Sequence, residues 1–108
     1  MGFDEYQKRA RTTAIYPSDN SIAYLALGIA GESGEVAEKV KKSIRDFGGE
    51  LSKEYKQAIA YELSDVLWYI ANMAYELGYS LETIAEMNLE KLFSRKERGK
   101  LGGNGDTR

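Results

Sequence analysis

Two pairs of acidic residues stand one helical turn apart in this chain. Glu32 and Glu35 lie in GESGEVAEKV, and Glu62 and Asp65 in YELSDVLWYIAN. Like charges at that spacing destabilise an isolated helix by about 0.2–0.5 kcal/mol, and partial burial raises the cost to about several kcal/mol per unpaired ion. A divalent cation removes the conflict, because it converts repelling carboxylates into ligands. The plain alternative is that each pair is part of a solvated helix face. Further along, Asn88, Lys91 and Arg95 form a strip of opposite sign. Such cations neutralise phosphoryl charge where metal ions bridge phosphate oxygens. They can also simply complement a helix dipole, a role that suits Arg95.

Composition narrows the chemistry. The 108 residues include no cysteine and no histidine. Thiolate nucleophiles, disulfides and thiolate metal sites are therefore excluded, as are the commonest general base and the usual zinc ligand. Any metal must be held by oxygen, which favours Mg²⁺ or Mn²⁺. A di-iron carboxylate bundle, which pairs Glu with His, is excluded too. The formal net charge of −2 argues against a general nucleic-acid binder. No apolar run approaches the roughly 20 residues of a membrane span, and MGFDEYQKRAR lacks the apolar core of a secretory signal. The expectation is a cytoplasmic protein with neither nucleic acid nor membrane as partner.

Helical apolar spacing runs through nearly the whole chain, and no alternating run suggests a strand. A first helix is expected over about 3–14, with Phe3, Tyr6 and Ala10 on one side. Pro17 breaks it, and Ser18 or Asp19 can cap a second helix over about 20–46 that ends at Gly48 and Gly49. Ser52 caps a third, reaching about Leu77 before Gly78, and Ser80 caps a fourth, reaching about Glu97 or Arg98. Four helices with short links predict an all-α antiparallel four-helix bundle in a single domain, residues 1–98, followed by a Gly-rich tail, residues 99–108. The tail is either frayed or a flap whose Arg98, Lys100 and Arg108 fold over phosphates.

On a helical wheel, Ile59, Leu63, Val66, Ile70, Met73 and Leu77 cluster within roughly 80° of arc. Glu62, Asp65, Tyr69 and Asn72 border that cluster, while Ser64, Ala71 and Tyr75 lie well away. The second helix repeats the pattern, with Glu32 and Glu35 at the margin of Ile22, Leu25, Ile29, Val36, Val40 and Phe47. Gly28, Gly31 and Gly34 each cost about 1 kcal/mol inside a helix, which suggests close approach of a chain segment or ligand. Trp68 reads as a packing or interface residue, with base stacking the alternative.

The order of these motifs resembles the MazG-like all-α nucleoside triphosphate pyrophosphohydrolases. The pair Glu32 and Glu35, 26 intervening residues, then Glu62 and Asp65 match the family's acidic pattern, and LGIAGESGEVAEKVKK, ELSDVLWYIANMAYELG and LEKLFSRKERG match its surroundings. The likeness runs from about residue 20 to the end. It implies cleavage of a nucleoside triphosphate at the α–β bond, giving a monophosphate and pyrophosphate, with Mg²⁺. It further implies metal binding by Glu32, Glu35, Glu62 and Asp65, with Glu32 or Glu35 as general base. Tyr69, Asn72, Lys91 and Arg95 are implied as substrate contacts, and Asn88, on the same strip as the two cations, is expected to join them. Ser33 departs from the pattern, since some relatives carry another Glu there, which leaves the number of metals open. A homo-oligomer is implied as well, a tetramer favoured over a dimer, completing the bundle and its sites. A dUTP/dUDP or phosphoribosyl-ATP pyrophosphohydrolase shares the same fold, and a non-catalytic metal-binding helical oligomer is the reading from a different class.

Overall fold

The computed structural model describes residues 1–108 and contains four helices and no strand: α1 (Phe3–Arg11), α2 (Ser21–Phe47), α3 (Lys53–Glu76) and α4 (Leu81–Glu97). The all-α reading holds. Ser52 and Ser80 accept hydrogen bonds from the amides of Tyr55 and Thr83, at 3.1 and 3.0 Å, satisfying donors that a helix start leaves free. At the far end of α2, Gly48 takes φ 62° and the Gly49 amide reaches back to the Ser43 carbonyl at 3.1 Å. Gly78, at φ 85°, closes α3 in the same manner.

Two boundaries differ from expectation. Helix α1 stops at Arg11 rather than near residue 14, because the hydroxyls of Thr12 and Thr13 bond back to the carbonyls of Arg9 and Ala10 at 2.6 and 2.7 Å. Local bonds of that kind compete with helix propagation. Helix α2 begins after Asn20, in left-handed conformation at φ 62° and without a side-chain cap, so neither Ser18 nor Asp19 plays that part.

Helix α3 is the hub. It packs along α2 on one side and meets α1 and α4 on another, whereas α2 touches neither α1 nor α4. Consequently Ala71 and Ala74, on or near the side that the wheel set apart from the core, are buried, while Leu63 and Leu77 of the expected core face are exposed. Gln7 ties the hub together. Its amide nitrogen donates to the carbonyls of Ala71 (3.0 Å) and Tyr79 (3.1 Å), and its oxygen accepts from the Leu81 amide (3.1 Å).

The arrangement is open. Only nine residues are buried, and the accessible surface is 7883 Å², against roughly 6000 Å² for a compact monomer of this mass. The radius of gyration is 16.7 Å, where about 13 Å is usual for this length. On the side of α2 opposite α3, Ala23, Leu27, Ala30, Gly34, Ala37, Lys41 and Ile44 recur at alternating spacings of four and three, all exposed. No helix is long and apolar enough to cross a membrane.

Candidate active site

The α2–α3 pairing brings three of the four acids together. Carboxylate oxygens of Glu32, Glu62 and Asp65 lie within 4.8 Å of one another. Glu35, one turn along α2, stands outside that trio and exposed. The Glu32 carboxyl titrates above its ordinary range, first because of burial, then because of the Asp65 charge, a hydrogen bond and charge from Glu62, and the charge of Glu35. Side chains crowded so that one resists ionisation form a donor set suited to a cation. Being all oxygen, it suits a hard divalent one.

Lys39 supplies a counter-charge that the sequence reading missed. Its ammonium lies 3.6 Å from Glu62 Oε1, with both side chains partly buried. The signal was present: Lys39 follows Glu35 by four residues and projects within about 20° of Glu32 on the wheel.

Aromatic side chains border the acids. The Tyr69 ring rests on the backbone of Gly28, so that a β-carbon at Gly28 would fall inside the ring, whereas Gly31 and Gly34 face open space. The Tyr69 hydroxyl titrates high through burial, then through Tyr24, Glu32 and Asp65. The Tyr6 hydroxyl does so through burial and then Asp65. Trp68 packs within the chain, donating from Nε1 to Thr13 Oγ1 at 2.8 Å and meeting the rings of Tyr16 and Tyr69 edge-on.

Asn72 is placed elsewhere. It is fully buried, its Oδ1 accepting from Arg11 (3.1 Å) and its Nδ2 donating to the Trp68 carbonyl (3.0 Å). Arg11 also pairs with Glu76 at 3.4 Å and bonds to Tyr16, fastening the end of α1 to α3. Asn88, Lys91 and Arg95 line a separate open cleft of about 630 Å³, together with Ser94, Arg98 and Thr107. No ion pair joins Lys91 or Arg95 to the acidic trio of their own chain.

The model of the MazG nucleotide pyrophosphohydrolase domain matches residues 20–99, which span α2, α3 and α4. The chain belongs to that family. This MazG domain is also 44% identical, over 114 aligned positions covering the whole of both chains, to a protein of Mycobacterium phage L5 named "Gene 37 protein". No solved structure matches it. Within the matched region fall both acidic pairs, Lys39 and the strip on α4, whereas α1 and most of the tail lie outside.

Proposed function

We propose that this MazG domain is a divalent-cation-dependent pyrophosphohydrolase that cleaves nucleoside or deoxynucleoside triphosphates at the α–β bond, releasing a monophosphate and pyrophosphate. The observation that carries the reading is the trio of Glu32, Glu62 and Asp65 oxygens converging across α2 and α3, in a family of nucleotide pyrophosphohydrolase domains. These three residues, with Glu35 beside them, would hold Mg²⁺, or Mn²⁺ in its place. The ion would supply charge stabilisation at phosphate oxygens and acidify a water. Glu35, exposed and outside the trio, would be the carboxylate placed to take a proton from the attacking water. Tyr69, fixed against Gly28, offers a wall beside the acids for the nucleotide. Asn72 orients α1 and Trp68 behind that wall and acts on substrate only through them.

Lys91 and Arg95, with Asn88, offset charge on the departing pyrophosphate. Because they make no ion pair with the acids of their own chain, a second copy would bring them there. The excess accessible surface and the unpartnered stripe on α2 support the same assembly, a homo-oligomer with a tetramer favoured over a dimer. The test is a panel of nucleoside triphosphates with Mg²⁺, scored for pyrophosphate and monophosphate. Asp65→Ala should lower turnover at least about a hundredfold while its circular dichroism stays helical. Equal turnover by Asp65→Ala and the parent would sink the mechanism.

A further inference from the structure

Beyond α4 the chain turns back on itself. Gly99, Gly103 and Gly105 adopt φ of 67°, 97° and 86°, a region that glycine enters without steric penalty. Arg108 closes the curl, its guanidinium donating to the carbonyls of Leu101, Gly102 and Gly105 at 3.1, 3.0 and 2.6 Å. Arg98 in turn donates to the Arg108 carbonyl at 2.5 Å. Of the three tail cations considered as phosphate contacts, two are thus engaged in holding the tail's own backbone.

The curl delivers Asp106 to α4. Its carboxylate lies 3.1 Å from Lys91 Nζ and 3.4 Å from Arg95 Nη2, and its backbone carbonyl takes a second bond from Arg95 at 2.5 Å. Neither cation has another carboxylate partner within the chain. Only 8% of the Arg95 side chain is exposed, and the Asp106 side chain is 82% exposed. A swing of the tail would free the acid at the cost of the bonds from Arg95 to the Asp106 carbonyl and from Arg98 to the Arg108 carbonyl. The Asp106 carboxyl titrates below its usual range, because of Lys91 first and Arg95 second. It is ionised at neutral pH.

We propose that Asp106 is an internal competitor for the anion site formed by Lys91 and Arg95: its carboxylate stands where a phosphate group goes, and a polyphosphate binds by displacing it. This rests on the reading of Lys91 and Arg95 as phosphate contacts. The chemistry favours displacement by pyrophosphate or a triphosphate chain, which carries several charges and many acceptor oxygens against a single carboxylate. It also assists release, because Asp106 returns to the two cations as pyrophosphate leaves. Asp106 thereby sets how tightly the site holds its anion.

The test is calorimetric titration of the 108-residue chain with inorganic pyrophosphate, in chelator and without divalent metal, so that the acidic trio contributes no affinity. Asp106→Asn should bind pyrophosphate about fivefold more tightly than the parent, the scale of the two ion pairs made by its exposed carboxylate. Adding Lys91→Ala to it should erase the gain. With nucleotide, Asp106→Asn should lower KM without raising kcat. If Asp106 merely anchored the tail, its replacement would weaken binding or leave it unchanged, and either result overturns the proposal. So does absence of pyrophosphate binding in both parent and variant. A tighter Asp106→Asn in a chain that hydrolyses no nucleotide would leave this proposal standing and remove the enzymatic reading. Hydrolysis with no shift in affinity would do the reverse.

Discussion

At the level of single residues, the decisive group is Glu32. Its carboxyl is harder to ionise in the folded chain than in the unfolded one, so the folded state holds the proton to higher pH. The sign of the linkage follows: the metal-free protein is favoured below the ordinary glutamate range and loses stability as pH rises through the folded value. Thermal unfolding in chelator should thus give a midpoint that falls as pH rises above the ordinary glutamate range. Glu32→Gln should flatten that fall and raise the neutral midpoint. Added Mg²⁺ should raise the midpoint of the parent and leave Glu32→Gln nearly unmoved. The wheel put the four acids at the margins of their helices' apolar faces, because angular position on a helix follows from residue count alone, whereas the structure brings three of them together and leaves Glu35 outside. The wheel could not say which neighbour a side chain meets. That is why Asn72 went unread as a buried partner of Arg11, and Lys91 and Arg95 as partners of Asp106.

At the level of elements, α2 and α3 come especially close at one point beside the site. The Tyr69 ring occupies the space where a β-carbon of Gly28 would stand, and Trp68, with ring centroids 5.0 Å apart, limits its retreat. Gly28→Ala should therefore destabilise the fold by about 1–3 kcal/mol through overpacking, despite the better helix former. Gly31→Ala, which meets open space, should stabilise it by up to about 1 kcal/mol. Chemical denaturation of the two variants checks the opposite signs. The caps of α3 and α4 and the stop of α2 were legible because Ser52, Ser80, Gly48 and Gly78 act through their own backbone neighbours. The end of α1 was not, since it turns on two threonine hydroxyls choosing the backbone over solvent. The side of α3 covered by α1 and α4 was also hidden, because the lining residues there, Ala71 and Ala74, are too small to mark a core on a wheel.

At the level of the molecule, a 12.1 kDa chain that buries nine residues has a small core, and assembly would add burial to it. Sedimentation should give a mass of two or four chains, and dilution should lower the unfolding midpoint, because assembly and folding are linked. Leu27, 74% exposed and central in the α2 stripe, is the residue to perturb. Leu27→Glu should shift the assembly toward smaller species and depress turnover, although it lies opposite the acids. Normal assembly of that variant would move the interface to another face.

The amide of Gln7 carries a consequence of a mechanical kind. It is bonded at once to the body of α3, to the link after it and to the first turn of α4, while Asp4 holds the next α4 amide at 3.3 Å. Helix α4 is thus an arm pivoting on a short link, with its angle set by two side chains of α1. The cations ride at the far end of that arm, where a small rotation becomes a large displacement. Substitutions in α1 could then retune how the arm reaches a neighbouring molecule while every residue of the acidic site stays as it is.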